Sequence, residues 1–267
     1  MPTVNVGDID MYYEVHGEGE PLLLIAGLSA DLTSWIFQIP EFSKRYRLIV
    51  FDNRGVGRTD VPDIPYSTDM MADDSAGLLN ALGIEKAHIL GHSMGGFIAQ
   101  EIVLKYPQLV KSLVLASTGT QETHMTKHNI DTWARMAREG VSREIFVREL
   151  LLWIFTENFF ENTEMVQIAV DTLVTDTYPQ PAHGLIRQVS ACLEHNTKDR
   201  IGNITTPTLA LVGKEDILVP VRMSEELAAG IAGAELVVLE GAAHLAYFEA
   251  ADKFNLAVLE FLSKVEN

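Results

Sequence analysis

The sequence predicts an α/β fold in which a mostly parallel sheet of eight strands is flanked by helices and interrupted by an inserted helical cap. Three observations predict it. Short apolar segments alternate with helical patterns over most of the chain, and strands that alternate with helices form parallel sheets covered on both faces. Strand signals disappear from about residue 121 to residue 203, where helical patterns replace them. The chain has 267 residues, 47% of them hydrophobic, so it can bury one large core together with an insertion.

The strands are predicted from their residue types and lengths. Residues 4–6 and 9–15 are rich in β-prone side chains and flank Gly7 and Asp8, which is typical of a hairpin. The later strands are short and mostly apolar, as expected when a strand is buried on both faces of a parallel sheet. They lie at residues 22–25, 48–51, 87–90, 110–116, 208–212 and 236–239.

Helices are expected between these strands. Residues 70–82 are predicted to form a helix that ends at Gly83, and residues 94–105 one that ends before Pro107. A further helix is expected to start near Pro220. The last helix has one apolar face, formed by side chains at three- and four-residue spacing. They are Phe254, Ala257, Val258, Phe261, Leu262 and Val265.

The domain prediction follows from these patterns: residues 1–120 and 204–267 form the core, and residues 121–203 form the cap. The segments DTWARMAREG and SREIFVRELLLWIF within the cap are both helical in pattern. Large apolar side chains in the cap indicate an apolar roof for a pocket, although most are expected in the interior of the cap itself. They are Trp133, Trp153, Phe155, Phe159, Phe160, Met125, Met136 and Met165.

Charge and composition argue against several classes of partner. The formal net charge of -17 opposes binding to phosphate backbones and anionic membrane surfaces, so neither a nucleic acid nor a membrane partner is expected. The longest apolar run, residues 150–155, is far shorter than the roughly 20 residues of a membrane helix. The first residues lack a secretory pattern and Cys192 is the only cysteine, so we expect a cytoplasmic protein. The sequence leaves open whether it forms a homo-oligomer.

The segment ILGHSMGGFIAQ, residues 89–100, carries the strongest chemical signal. It places Ser93 between Gly91 and Gly95 at the junction of a predicted strand and a predicted helix. The small glycines let the chain reverse sharply, which exposes the serine at the carboxyl edge of the sheet, where α/β sheets bind ligands. The helix amino terminus directs N–H groups toward an oxyanion formed there. The alternative is a glycine-rich turn with an incidental serine; the flanking strand and helix favour a nucleophile.

A serine nucleophile requires a general base, and the sequence has eight histidines. His244 lies in a short glycine-containing loop after the predicted strand at 236–239 and before the last helix. It is therefore expected at the same edge of the sheet as Ser93. The alternative interpretation is a buried structural histidine.

Other histidines fit the role of base less well. His92 is next to the serine, where a side chain on so tight a turn is expected to point away. His124 and His128 have the i, i+4 spacing of a metal pair but lack the glutamate of an H-E-x-x-H motif. A solvated helix face is the favoured interpretation of that pair, and no metal is expected.

The base requires a carboxylate that fixes its tautomer. Asp216 lies in the loop after the strand at 208–212, with Glu215 beside it, and we prefer Asp216 because it is shorter and an apolar run follows it. The strand at 110–116 is followed by STGTQ, with no acid nearby, which removes the obvious rival position. The predicted triad is then Ser93, Asp216 and His244.

Four segments together resemble the α/β-hydrolase fold family, and within it the serine carboxylesterases and 3-oxoadipate enol-lactonases. They are FDNRGVGRTD, LGHSMGGFIAQ, LVGKEDILVP and EGAAHLAYFE, in the order of the family. The resemblance implies that the backbone N–H of Leu28 joins that of Met94 in an oxyanion hole, and that no metal or organic cofactor is needed. Ala26 departs from the family, which usually has histidine before the following glycine.

The expected function is therefore that of a serine hydrolase that cleaves a small carboxylic ester or lactone through an acyl-enzyme. Hydrolases of C–C bonds in vinylogous diketones and cofactor-free perhydrolases use the same triad and stay open as alternatives. A hydrolase-derived receptor with slow turnover is an alternative from another class. The sequence does not identify the substrate; if it is anionic, several cap arginines are candidates to bind it. They are Arg135, Arg138, Arg143, Arg148 and Arg187.

Overall fold

Eight strands form one sheet in the computed structural model, which describes residues 2–266. They are β1 (Thr3–Val6), β2 (Ile9–His16), β3 (Glu20–Ile25), β4 (Tyr46–Phe51), β5 (Ala87–His92), β6 (Val110–Ala116), β7 (Thr208–Gly213) and β8 (Glu235–Leu239). Their spatial order is β1-β2-β4-β3-β5-β6-β7-β8. β2 is antiparallel to both β1 and β4, and every other neighbouring pair is parallel. The predicted fold class is confirmed.

Eleven α-helices occur within residues 2–266. They are α1 (Ile39–Phe42), α2 (Thr68–Ala81), α3 (Met94–Lys105), α4 (His124–Arg138), α5 (Arg143–Ile154), α6 (Glu157–Glu161), α7 (Thr163–Val174), α8 (Ala182–Glu194), α9 (Val221–Gly230), α10 (Ala246–Glu249) and α11 (Ala251–Glu266). Buried side chains of α2, α3 and α9 pack on one face of the sheet, and those of α1 and α11 pack on the other.

Strand β3 shows why the central strands are uniformly apolar in sequence. Leu23 and Ile25 pack into the core on one face of the sheet, whereas Leu22 and Leu24 pack into the core on the opposite face. All four side chains have no solvent exposure. Each such burial contributes roughly 1.5–3 kcal/mol to folding, so a polar residue at any of these positions is strongly disfavoured.

Two helix boundaries differ from the sequence prediction. α2 begins at Thr68 rather than at residue 70, because Ser67 precedes it as a cap whose hydroxyl accepts a hydrogen bond from Met70 N. A short helix, α10, stands between the loop of His244 and α11, and the chain turns between them at Ala250. The apolar face predicted for the last helix does pack against the sheet.

Helices α4 to α8 lie between β6 and β7, and we call this part of the chain the helical insertion. Gln121 and Asn196 pair in an isolated antiparallel bridge, and Thr197 N donates to Thr120 O over 2.9 Å. The two ends of the helical insertion are therefore held together. The division into domains at residues 121 and 203 stays a prediction. Among residues 2–266, no helix has the length and apolar character needed to cross a membrane.

Candidate active site

Ser93 occupies the sharp turn between β5 and α3. Its φ is +55°, a strained value for a residue with a side chain, which costs about 1–3 kcal/mol and requires support from its surroundings. Ser93 N supplies part of that support by donating to Ala116 O over 2.9 Å. A Cβ on Gly91 would collide with the carbonyl oxygen of Gly95, and a Cβ on Gly95 with that of Ile25. The turn therefore requires glycine at both positions.

His244 and Asp216 form a buried pair. Nδ1 of His244 lies 2.9 Å from Oδ2 of Asp216, and Oδ1 of Asp216 accepts a hydrogen bond from Val219 N over 2.7 Å. A carboxylate only accepts, so Nδ1 carries the proton and donates it. Nε2 of the neutral ring is then left with a free lone pair, which is the arrangement a general base requires.

Ser93 and His244 line one cavity of about 870 Å³, whereas Asp216 lies behind His244 and is not part of the wall. Helices of the insertion supply most of the apolar wall. Trp133, Phe155, Phe159 and Met165 of the predicted roof line this cavity. Trp153, Phe160, Met125 and Met136 do not, so only part of the predicted roof faces the cavity.

The two predicted oxyanion donors lie beside the serine. Within the part of the chain that is described, the backbone N–H groups of Leu28 and Met94 have no protein acceptor. Met94 is the first residue of α3, where no intrahelical partner is available. A Cβ on Gly27 would stand 3.2 Å from Cβ of Ser93, so the loop after β3 runs directly against the serine. Both N–H groups are free to bind a developing oxyanion.

The loop after β3 is held by residues that the sequence argument did not consider. Asn53 Nδ2 donates to Ala26 O over 3.0 Å. Ser29 N donates to Oε1 of Gln188, a fully buried side chain on α8, over 3.1 Å. Contacts from the loop after β4 and from the helical insertion therefore hold the loop that contains Leu28.

His92 lies against His244, and the expectation that it points away from the site is wrong. The two rings are 4.8 Å apart, and Nε2 of His92 donates to the carbonyl oxygen of His244 over 2.9 Å. Complete burial lowers the pKa of His92 well below its usual value, and nearby His244 lowers it further. His92 is thus a neutral support for the loop of the proposed base.

Glu122 lies in the cavity wall, although the sequence argument found no acid near the end of β6. The expectation of no acid near the end of β6 is wrong, because Glu122 directly follows STGTQ. Only 9% of the residue is exposed, and Oε2 is buried with no hydrogen-bond partner among residues 2–266. Burial raises the pKa of Glu122 to about 8; Lys127 acts to lower the pKa and Asp216 to raise it. His244 is nevertheless paired with Asp216 and not with Glu122.

Glu249 ties the loop of His244 to the helical insertion. Its Oε2 accepts a hydrogen bond from Ala243 N over 2.8 Å. Its Oε1 accepts from Thr156 N over 3.0 Å and from the Thr156 hydroxyl over 2.8 Å. Leu245 N adds a backbone bond to Ile154 O over 3.2 Å. The residues on both sides of His244 are therefore anchored to the segment between α5 and α6.

Arg143 is the one candidate arginine that lines the cavity within residues 2–266. Its guanidinium lies 3.2 Å from Asp176 Oδ2, and its Nε donates to Leu173 O over 2.7 Å. The other four candidates do not line the cavity; they are Arg135, Arg138, Arg148 and Arg187. In the described chain, no arginine or lysine of the wall is left without an acidic partner.

The remaining histidine pair shows no sign of a metal centre. His124 and His128 are both exposed on α4. Within residues 2–266, no group of three or more His, Cys, Asp or Glu side chains is arranged to hold a metal ion.

Comparisons with known proteins identify the family of this chain. A sequence model of the α/β hydrolase fold matches residues 20–145. RutD of Azorhizobium caulinodans, a proposed carbamate hydrolase, is 30% identical over 266 residues, which is 100% of each chain. A thermophilic esterase from Thermogutta terrifontis superimposes with a TM-score of 0.89 at 30% identity, with 100% of both chains covered. The enol-lactonase from Burkholderia xenovorans LB400 gives a TM-score of 0.90 at 26% identity, covering 98% of this chain and 100% of its own. On its fold, its motifs and these relatives, the chain belongs to the α/β-hydrolase fold family, as its sequence predicts, and is a hydrolase.

Proposed function

We propose that this hydrolase cleaves a small carboxylic ester or lactone through an acyl-enzyme on Ser93. One observation carries the proposal. Ser93, held at φ +55° at the head of α3, lines the same cavity as His244, whose Nδ1 is 2.9 Å from Asp216. A serine, an oriented neutral histidine and a buried carboxylate are the groups that acyl transfer requires.

Acylation begins when Oγ of Ser93 attacks the ester carbonyl carbon and Nε2 of His244 takes the hydroxyl proton. The carbonyl π electrons move to oxygen, and the N–H groups of Leu28 and Met94 stabilise the resulting oxyanion. Asp216 stays ionised and stabilises the imidazolium. When the tetrahedral intermediate collapses, the C–O bond to the alcohol breaks and His244 donates its proton to the departing oxygen. With a lactone, that alcohol stays attached to the acyl group.

Deacylation repeats these steps with water as the nucleophile. Nε2 of His244 takes a proton from the water while its oxygen attacks the acyl carbon, and the same N–H groups stabilise the second oxyanion. Collapse releases the carboxylic acid and returns the proton to Oγ of Ser93. The products are one acid and one alcohol, or one hydroxy acid from a lactone. Water is the only co-substrate this mechanism uses.

The lining of the cavity favours a neutral substrate that has an apolar part. Its wall is largely apolar, with Ile130, Val147 and Leu151 among the buried residues that line it. Arg143, its one arginine in the described chain, is paired with Asp176. An anionic substrate would have to compete for that guanidinium and would meet the like charge of Asp31, which also lines the cavity. We therefore expect neutral esters and lactones to be preferred over lactones that carry a carboxylate.

A carbamate is a second candidate substrate, because RutD, named for proposed carbamate hydrolysis, is similar to this chain over its whole length. The same serine could attack a carbamate carbonyl, with an amine as the leaving group. C–C bond hydrolysis, perhydrolysis and slow-turnover ligand binding stay open as alternatives at the same site.

Stopped-flow measurements with p-nitrophenyl butyrate test the proposal. The wild type should release p-nitrophenol in a burst followed by steady turnover, whereas Ser93→Ala should do neither. Ser190→Ala is the matched control, because Ser190 lies on α8 away from the cavity wall and, within residues 2–266, its hydroxyl bonds only Ile186 O. Turnover by Ser93→Ala at the wild-type rate would contradict the proposal. A burst without turnover would favour the receptor alternative instead.

A further inference from the structure

Glu122 has the properties of a ligand-binding group that the proposed mechanism does not use. It lies in the loop between β6 and α4 and lines the cavity that contains Ser93 and His244. It is more than nine-tenths buried, and its Oε2 has no hydrogen-bond partner in the described chain. A buried polar atom normally has a partner, so this unpaired carboxyl in a cavity wall is available to pair with a ligand.

The surroundings of Glu122 keep its carboxyl protonated at neutral pH. Burial is the main cause of a pKa raised to about 8, and Asp216, in the loop after β7, acts in the same direction. Lys127 of α4 is the cation that opposes them, and the buried thiol of Cys192 on α8 also lines the cavity. His244 lies in the same wall. A neutral carboxyl differs from a carboxylate in having an O–H group that donates a hydrogen bond.

We propose that Glu122 is a specificity residue whose carboxyl O–H donates a hydrogen bond to an ether or carbonyl oxygen of the substrate, away from the scissile ester carbonyl. The proposal rests on the proposed function and refines its substrate class to esters that carry a second oxygen. The scissile carbonyl already has the N–H groups of Leu28 and Met94 as donors. The acid of the triad is already supplied by Asp216, so Glu122 is available for a different part of the substrate.

Substrate discrimination provides the first test. The probes are p-nitrophenyl hexanoate and three analogues in which an ether oxygen replaces chain carbon three, four or five. Selectivity is the kcat/KM of an analogue divided by that of the hexanoate ester, which cancels general effects on catalysis. Glu122→Gln keeps a donor of similar size, Glu122→Leu removes it at similar volume, and Glu215→Gln removes a nearby exposed charge as a control.

For at least one oxygen position, we expect Glu122→Leu to lower selectivity roughly three- to tenfold, as the loss of one hydrogen bond predicts. Glu122→Gln and Glu215→Gln should stay near the wild type. Raising the pH from about 6 to about 10 should lower the selectivity of the wild type and not that of Glu122→Gln, because only the wild type loses a donor. Equal selectivity of wild type and Glu122→Leu for all three analogues would overturn the proposal.

Infrared spectroscopy provides a test that does not depend on turnover. The wild-type minus Glu122→Gln difference spectrum should contain the carbonyl stretch of a protonated carboxyl at about pH 6, and this band should vanish at about pH 10. Its absence at the lower pH would overturn the proposal, even if Glu122→Leu failed to fold. If the proposed function itself were wrong, the hexanoate ester would show no hydrolysis that depends on Ser93. The infrared band does not require hydrolysis, so the two failures can be told apart.

Discussion

The carboxylate of Glu249 accepts two hydrogen bonds from Thr156, one from its backbone N–H and one from its hydroxyl. The same carboxylate accepts a third from the backbone of Ala243, the residue before His244. One side chain therefore joins the helical insertion to the loop of the proposed base. Because the insertion also forms the cavity wall, the position of His244 and the shape of the cavity depend on the same contact.

Replacing Glu249 with alanine should lower both activity and stability. The change leaves two backbone N–H groups without their acceptor, and hydrogen bonds to charged groups contribute about 1.5–3 kcal/mol each. We expect a clear fall in the urea midpoint and a lower kcat/KM for p-nitrophenyl butyrate. Glu240→Ala is the control, since Glu240 is exposed, its carboxylate pairs in the described chain with the exposed Lys214 alone, and its loss should change stability by less than about 0.5 kcal/mol. Equal behaviour of the two variants would contradict this role of Glu249.

The ring of His92 should remain neutral at pH values where an exposed histidine is half protonated, about 6.5. The pKa of His92 is lowered in the folded protein, so the unfolded chain binds the proton more readily. The folded protein therefore loses stability as the pH falls below the pKa that His92 has in the unfolded chain. Nitrogen-15 NMR of the ring checks the protonation state directly. His92→Phe should remove this part of the acid sensitivity and also lower kcat/KM, because the carbonyl of His244 loses its donor. Protonation of His92 in the folded protein near pH 6.5 would refute the prediction.

Gly91→Ala should abolish activity and strongly lower the melting temperature. The added methyl group would collide with the backbone carbonyl of Gly95, and neither segment can move without displacing Ser93. Overpacking of this kind typically costs about 1–3 kcal/mol, and a backbone collision costs more than a side-chain one. Gly202→Ala is the matched control, because its Cβ would have only one neighbour, at 3.9 Å. If Gly91→Ala melted and reacted like Gly202→Ala, the close approach at the turn would be disproved.

Glu122→Gln should be more stable than the wild type at alkaline pH. The folded pKa of Glu122 is about 8 and its ordinary value is 4.5, so the folded state holds a proton that the unfolded chain has lost. The wild type therefore loses stability as the pH rises from about 4.5 to about 8, and the loss is complete above that window. Glutamine has no proton to lose. Urea midpoints measured at about pH 6 and about pH 9 check this. Between these pH values, the stability of Glu122→Gln should rise relative to that of the wild type, whereas Glu215→Gln should follow the wild type. An identical pH dependence of all three proteins would contradict the prediction.

The fold and the sharp turn that holds Ser93 could be derived from local sequence because local physics dictates them. β3 is apolar on both faces because both faces are buried, and the bounds predicted for the helix at 94–105 match α3, which ends before Pro107. The burial of Glu122 in the cavity wall could not be found in this way. A glutamate in a loop is normally solvated, and its burial results from the helical insertion and the loop after β7, which are distant in sequence.

The same limit applies to the cavity wall. The sequence gives no reason to distinguish Met125 from Met165, because both are methionines in helical patterns. Met165 nevertheless lines the cavity and Met125 does not. The position of His92 likewise depends on the loop of His244, which lies 152 residues further along the chain. Pairings of this kind depend on how separate elements pack, and no local pattern records them.

Mass spectrometry of the trapped intermediate tests directly whether Ser93 is acylated during turnover. The wild type is mixed with p-nitrophenyl butyrate, quenched in acid during turnover and digested, and the peptides are searched for an added butyryl group. We expect the butyryl group on Ser93 in the wild type and no such adduct in Ser93→Ala. Turnover by the wild type without acylated Ser93, or a butyryl group on another residue such as Cys192 that forms at the rate of turnover, would contradict it.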